Sequence, residues 1–295
     1  MALFAPSSPR PITRRHFLNA GLYGAAGLAF YSGEIARHWI EVVEHSVSLA
    51  GLPQVFDGMR IVQLSDIHLD EYTEPFFLRH VVDRINEIKP DAVYLTGDYV
   101  TVGLGSRAFA IGAAWQCANI LNGLACKSRF AILGNHDVGV GAREVTEALT
   151  ANGISVLRNA CLPIERAGGR FWLSGLDDPV NGHPDMELAI PRSIRKIAKE
   201  PIVLMCHAPD YANVLLDDIA GWSVGLMLSG HTHGGQIRFP GVGALYLPGW
   251  GRRYDQGWFR LTRLQLYVNR GIGTLGVPFR LNCPPEITVF TLRTS

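Results

Sequence analysis

Five short stretches of this sequence carry side chains that hold divalent metals: Asp66-Ile67-His68, Gly97-Asp98, Gly134-Asn135-His136-Asp137, His207 and Gly230-His231-Thr232-His233. Imidazole nitrogens with carboxylate or amide oxygens suit Mn, Fe, Zn or Mg, and no thiolate lies among them. The chemistry this predicts is Lewis-acid hydrolysis, not a structural zinc knot. Taken singly, each stretch is ordinary. An aspartate after a strand caps or turns, Gly-Asp is common in turns, and a lone apolar-flanked histidine such as His207 is more often a satisfied core residue. Coincidence is a poor account of all five in one chain.

The spacing adds detail. If Asp66 and His68 lie on an extended segment, alternation points both to one face and they can share one ion. The carboxylate of Asp98 has two oxygens and can bridge two cations. Asn135 offers an amide oxygen to a metal, and His136, its neighbour, diverges from it and faces the substrate. There His136 can protonate a leaving oxygen or stabilise charge in the transition state. Asp137 either orients His136 or caps a helix. His231 and His233 stand two apart, with Gly234-Gly235 behind them allowing close backbone approach. The remaining histidines, His16, His38, His45, His80 and His183, read as surface or capping residues.

The elements needed to position these residues are legible. Arg60–Ser65 is a short apolar strand, Pro75–Ile88 has helical spacing, and Asp91–Thr96 is the next strand, which makes a βαβ unit. A helix from about Ser106 to Leu121 and a strand Arg129–Leu133 repeat the pattern. Three motifs thus follow three neighbouring strand ends, the edge where open α/β sheets bind ligands. After residue 150 come short strands at 155–157, 162–165 and 170–176, and a helix from about Met186 to Ala198. Buried strands at 202–206 and 224–229 then deliver His207 and the Gly-His-Thr-His run. The end is β-rich, at 236–239, 264–269 and 287–292. Alternating α/β followed by β-rich sequence predicts two sheets with helices outside. The domain plan is a signal over 1–33, a linker with an edge strand over 34–58, and a catalytic domain over 59–295.

Composition excludes some classes. Lys and Arg number 27 and Asp and Glu 26, so the net charge of +1 lacks the basic footprint of bulk nucleic-acid binding. Five cysteines without C-x-x-C pairing form no disulfide framework, and Cys206 should face away from His207 by strand alternation. The start is informative. Thr13-Arg14-Arg15-His16-Phe17-Leu18 resembles a twin-arginine export signal, followed by an uncharged Gly/Ala-rich run from Phe17 to Gly33. That run is shorter than the roughly 20 apolar residues of a membrane span. Cleavage near Gly27-Leu28-Ala29 and retention as a membrane anchor are both open. The expectation is an extracytoplasmic, membrane-proximal chain served by the twin-arginine export machinery.

Three further stretches invite functional readings. Gly271-Ile272-Gly273-Thr274-Leu275-Gly276 matches a dinucleotide fingerprint, but Val277-Pro278 and Pro284-Pro285 forbid the helix it requires. It reads instead as a Gly-rich loop beside the metal site, with Arg270 a candidate phosphate contact. Pro240–Trp258, with Tyr246, Trp250, Arg252, Arg253, Tyr254 and Trp258, is a candidate substrate loop. Asp177-Asp178 reads as a turn former.

The motifs, in this order and spacing, resemble the calcineurin-like metallophosphoesterase superfamily over nearly all of the chain after the signal. Within it, the arginine pair, the Gly230–Gln236 run and the ending Arg280–Glu286 are similar to a group of exported bacterial phosphodiesterases. The resemblance implies a four-layer α/β/β/α sandwich, two mixed β-sheets flanked by helices. It puts Asp66, His68, Asp98 and His233 on one ion and Asp98, Asn135, His207 and His231 on the other, with His136 as the catalytic histidine. Two divalent ions are implied (Mn, Zn or Fe, with Mg a further candidate). A hydroxide between them, formed because water's pKa falls toward about 7, would attack phosphorus while His136 assists the leaving group. The substrate expected is a small-molecule or lipid-linked phosphoester, and a phosphodiester first. Two rival readings are a pyrophosphatase of a lipid-linked sugar nucleotide of the UDP-diacylglucosamine type and a catalytically silent scaffold. The intact ligand set argues against the scaffold.

Overall fold

The structure is a computed structural model that describes residues 13–103, 105–195 and 200–294. Its first half follows from the alternation of apolar strands with helices. β2 (Arg60–Leu64) leads through α2 (Pro75–Ile88) to β3 (Ala92–Leu95), then through α3 (Arg107–Leu121) to β4 (Arg129–Ala131), and through α4 (Asn135–Ala151) to β5 (Ser155–Val156). Each strand is parallel to the one before, so the carboxyl ends share one edge. α2 opens on Pro75, where a missing N–H costs nothing, and stops at Lys89, whose φ of 54° ends it ahead of Pro90. Ser106 caps α3 by accepting the Phe109 N–H.

β14 (Glu286–Thr294) returns antiparallel beside β2, and β1 (Glu41–Leu49) pairs with β14 in parallel along its length. The first sheet therefore runs β1-β14-β2-β3-β4-β5, with its edge strand drawn from the 34–58 stretch. The second sheet is built from β6 (Ala160–Arg166), β7 (Gly169–Gly175), β8 (Ile202–Met205), β9 (Val224–Ser229), β12 (Gly257–Leu261) and β13 (Leu264–Val268), in the order β12-β13-β9-β8-β7-β6. A small hairpin, β10 (Arg238–Phe239) with β11 (Gly243–Ala244), lies between β9 and β12 in the chain.

Period-two alternation creates the layers. Val62 and Leu64 of β2, with Val93 and Leu95 of β3, pack under α2 and α3, whereas Ile61 and Tyr94 face the second sheet. On β8, Val203 and Met205 meet the first sheet, while Ile202 and Leu204 pack with α6 (Tyr211–Asp217). Three apolar interfaces thus separate four layers, helices, sheet, sheet and helices. A Met205→Ala truncation in the middle interface should cost roughly 2–5 kcal/mol.

Two sequence expectations differ from the structure. The helix expected over about 186–198 is only α5 (Met186–Ala189), because Pro191 pushes Ile190 out of helical geometry. Residues 196–198 of that expectation lie outside the described residues. The stretch set aside as a signal contains a helix, α1 (Arg14–Phe30), capped by Thr13 and burying none of its residues. Ser8–Ile12 lie outside the described residues. Attachment to the domain begins just after α1. The Arg280 N–H donates to Ser32 O (3.0 Å), and Arg37 pairs with Glu74 while donating to Tyr72 O (2.7 Å). No described helix is long and apolar enough to cross a membrane.

Candidate metal centre

The side chains singled out by type converge just beyond the carboxyl ends of β2, β3, β4, β8 and β9, on the edge where the two sheets meet. Asp66, His68 and His233 form one buried triad, and Asp98, His207 and His231 a second; within each, the ligand atoms lie within 4.8 Å of one another. Asp98 Oδ2 stands between them, 3.1 Å from His207 Nε2 and 3.6 Å from His68 Nε2.

The pairing of Asp66 with His68 does not arise from strand alternation. β2 stops at Leu64, and Asp66 and His68 have left-handed backbones, with φ of 51° and 48°. Asp98, His231 and His233 do likewise, at 59°, 73° and 51°. Such conformations cost about 1–3 kcal/mol each and persist where surroundings over-determine them. Here a ladder between the two loops does so: the Asp66 N–H donates to Gly97 O (2.9 Å), and the Ile67 and His68 N–H groups to Asp98 O (2.7 and 3.1 Å). Gly97, at φ 98°, brings the two strand exits together, since a Cβ there would sit 2.8 Å from Gly134 Cα. A side chain at Gly230 would strike Ser65 and the Asp66 carboxylate.

Each of the four ligand-type imidazoles is oriented by its far nitrogen. His207 Nδ1 donates to Thr96 O (2.7 Å), His233 Nδ1 to Gly273 O (3.3 Å) and His231 Nε2 to Gly249 O (2.7 Å), and His68 Nδ1 pairs with Thr101 Oγ1 (2.8 Å). Bonds of this kind fix the tautomer and aim the other nitrogen at the centre. The result is a set of lone pairs without donors. His68 Nε2 and His233 Nε2 face each other at 3.2 Å, and Asn135 Oδ1 is buried with no hydrogen-bond partner. Buried acceptors left unpaired are costly. Nitrogen and oxygen acceptors converging without donors fit divalent cations.

Burial pushes the Asp66 carboxyl up to about 6, against the pull of His207. For Asp98 burial acts the same way, but the imidazoles of His207, His136 and His68 outweigh it and hold the carboxyl well below the usual range. Burial drives the neutral form of His68, down to about 3, and of His231, down to about 4. His207 goes the other way: burial disfavours its charge, yet Asp98, Asp66 and Asp178 raise it well above an ordinary histidine.

His136 lines the cavity beside these ligands, together with Asn135. Its main-chain N–H donates to Asp98 Oδ1 (2.9 Å), and the Val102 N–H donates to its Nδ1 (3.0 Å). The neutral ring therefore carries its own proton on Nε2. Asp137 does not orient it. The Asp137 carboxylate instead accepts the N–H groups of Asp98 (2.8 Å), Gly134 (2.9 Å) and Tyr99 (2.9 Å), tying the β3 and β4 exits together.

Other candidates fall elsewhere. Arg270 does not reach the site: it is locked between Glu286 (2.5 Å) and Glu41 (2.7 Å). The Gly271–Gly276 loop does support the centre, since the Gly273 N–H donates to Asp66 O (2.8 Å). Asp210 organises the candidate substrate loop by accepting the Arg252, Arg253 and Tyr254 N–H groups. Of the aromatic and basic residues singled out in that loop, only Tyr246 lines the cavity, while Trp258 packs on Tyr267 inside the molecule and Tyr254 bonds Asn213. Asp177 pairs with Arg158 (2.8 Å), and Asp178 caps the Val180–Asn181 turn. Cys206 is buried on the α6 side, away from His207's cluster.

Sequence reasoning missed the role of Arg280. Its fully buried guanidinium donates to the carbonyls of Arg270, Gly271, Gly273 and Cys283, which fixes the loop behind Asp66 and His233. Nothing in sequence separates such an arginine from a surface one. Asp70, two residues past His68 and within electrostatic reach of His136, was also not singled out; burial raises its carboxyl.

Comparison with known proteins gives a concordant picture. Residues 59–235 match the calcineurin-like phosphoesterase family. The chain is 35% identical to the uncharacterized metallophosphoesterase YkuE of Bacillus subtilis, over 97% of this chain and 99% of that one. It is 33% identical to the phosphodiesterase YaeI of Escherichia coli, over 95% and 99%. A transmembrane protein with metallophosphoesterase domain from Danio rerio is 30% identical over 91% of this chain and 61% of its own length.

Proposed function

This chain belongs to the calcineurin-like metallophosphoesterase family and is a metal-dependent phosphoric ester hydrolase, and we propose that the ester it cleaves is a phosphodiester. Asp66, His68 and His233 would hold one divalent ion, and Asn135, His207 and His231 the second, with Asp98 shared. Bound there, the two ions supply Lewis acidity that makes hydroxide available near neutral pH and neutralises phosphate oxygens. The protein's own part is positional. Left-handed loops and oriented imidazoles hold the donors in place before any ion arrives, and His136 presents its Nε2 proton to the oxygen on which charge develops as the P–O bond breaks.

The observation that carries the diester reading is the lining of the cavity at this site. Among the described residues it contains no Lys or Arg. A monoester dianion or a pyrophosphate would find no cation beyond the metals, whereas a diester carries one charge. The 33% identity to a protein named phosphodiesterase supports the same choice. It also weighs against the lipid-linked pyrophosphate and, with the donor set complete, against a silent scaffold. Side-by-side turnover of an aryl phosphodiester, its monoester and a UDP-lipid, with Mn, Zn, Fe or Mg, tests this. Diester preference is expected; monoester or pyrophosphate preference contradicts it.

We further propose export by the twin-arginine route to a membrane-proximal, extracytoplasmic place, on the strength of Thr13-Arg14-Arg15 and the apolar, unburied α1. Fractionation of an Arg14→Lys, Arg15→Lys variant should find the protein retained inside the cell. Unchanged localisation overturns this part.

A further inference from the structure

The cavity over the metal centre holds about 520 Å³, within the size range of small-molecule sites. Its polar lining outside the metal triads is almost wholly committed to the protein itself. Gln236 Nε2 donates to Leu275 O (2.9 Å) while its Oε1 accepts the Leu275 N–H (2.6 Å). Thr232 Oγ1 donates to Asp255 O (2.6 Å) and accepts the Gly234 N–H (3.1 Å). The nearby arginines are also engaged: Arg238 with Asp255 (2.8 Å) and Gly234 O (2.7 Å), Arg270 with two glutamates. The phosphate therefore meets the metals, Asn135 and His136, and its substituent meets something else.

What it meets is apolar. Ile237, Leu245, Tyr246, Pro248, Leu275 and Val277 form the rest of the wall. Leu245 and Tyr246 are 66% and 70% exposed, and Val242 beside them 78%, so this wall is an open hydrophobic surface rather than core. Such patches rimming a site mark binding. They are also held in place. The Leu245 N–H donates to Ile237 O (2.9 Å), and Glu71 accepts the Gly276 N–H (2.9 Å), fixing the segments that carry these wall residues. Phe279, two residues past Val277, packs near Gly33, just after α1.

We propose that the substrate is an amphiphile, a singly charged phosphodiester with an apolar chain on its alcohol, whose chain lies in the trough of Ile237, Leu245, Tyr246, Pro248, Leu275 and Val277. This rests on the phosphodiesterase reading. Hydrophobic burial then supplies the recognition that basic side chains give elsewhere.

The test is a homologous series, the 4-nitrophenyl methyl, butyl and octyl phosphates, each below its aggregation concentration, with the Mn-loaded full chain. kcat/KM should rise by about two- to fourfold for each methylene the trough buries. Leu245→Asp and Val277→Asp should flatten that slope, lowering the octyl ester far more than the methyl ester. Ile219→Asp, at an exposed apolar residue outside the cavity, should leave the slope as it is. Turnover of the methyl ester without any chain-length dependence overturns the amphiphile and leaves the phosphodiesterase standing. A slope that survives both trough variants removes the chain from this wall. No turnover of any diester, with the aryl monoester cleaved, overturns both readings.

Discussion

The two triads of the metal centre are built from similar donors yet sit in different electrostatic states. In the triad of Asp66, His68 and His233, burial keeps both imidazoles neutral, and the carboxyl is lifted to about 6. In the triad of Asp98, His207 and His231, a carboxylate held low faces an imidazole held high, so His207 keeps a proton across from Asp98. The first triad is deprotonated near neutral pH, and the second must give up a proton to take a metal. Equal ligand counts therefore do not make equal sites. The difference lies in the balance: at His207 the carboxylates of Asp98, Asp66 and Asp178 outweigh burial, whereas at His68 and His233 burial, with Arg280 and neighbouring imidazoles, outweighs Asp98.

The sharpest way to break this comparison is to remove the residue that joins its halves. Asp98→Asn should reduce hydrolysis to background and lower metal content by elemental analysis, because its carboxylate stands between both triads. Full metal content with near-normal turnover would show that Asp98 is not shared. Next in size is His136→Ala, for which kcat should fall about 10²–10⁴-fold while both ions stay bound. Loss of metal in that variant would make His136 a ligand. Smaller again is Thr101→Ala, which frees His68 Nδ1 and touches only the first triad. Metal affinity there should drop about 10–100-fold, with the second site less affected in a two-site titration.

The mildest perturbation is acid. Protons compete with metal at Asp66 and His207, the two ligands of the triads whose affinity for them is raised. With its pKa raised to about 6, the Asp66 carboxyl is half protonated near pH 6, so affinity at the first triad should fall as pH drops through that value. The second triad should respond already at higher pH, since His207 holds its proton more tightly. Each ion's affinity, measured by calorimetry from pH 5 to 8, distinguishes the sites; parallel curves would erase the comparison.

Much of this was legible in the sequence because ligands in this architecture sit two to four residues past strand ends, and the strands themselves are short apolar runs. Asp66, Asp98, Asn135, His207, His231 and His233 could all be placed on one edge from that pattern alone. The reason Asp66 and His68 act together was not legible. It lies in left-handed backbone locked by the Asp98 loop, which no periodicity reports. Asp137 could be read as orienting or capping, and only its three short N–H contacts decide for capping. Arg280 stood out only as part of the ending Arg280–Glu286; its buttressing role was not legible because its partners are carbonyl oxygens, which every residue has. Arg270 misled for the opposite reason: its carboxylate partners, Glu41 and Glu286, lie far from it along the chain.

The most direct test of a two-ion phosphodiesterase is a titration of metal-stripped protein with Mn while turnover of an aryl phosphodiester is followed. Activity should stay low through the first equivalent and climb with the second, as the His207 triad gives up its proton. Activity that is complete at one equivalent, or that persists in chelator, would contradict it.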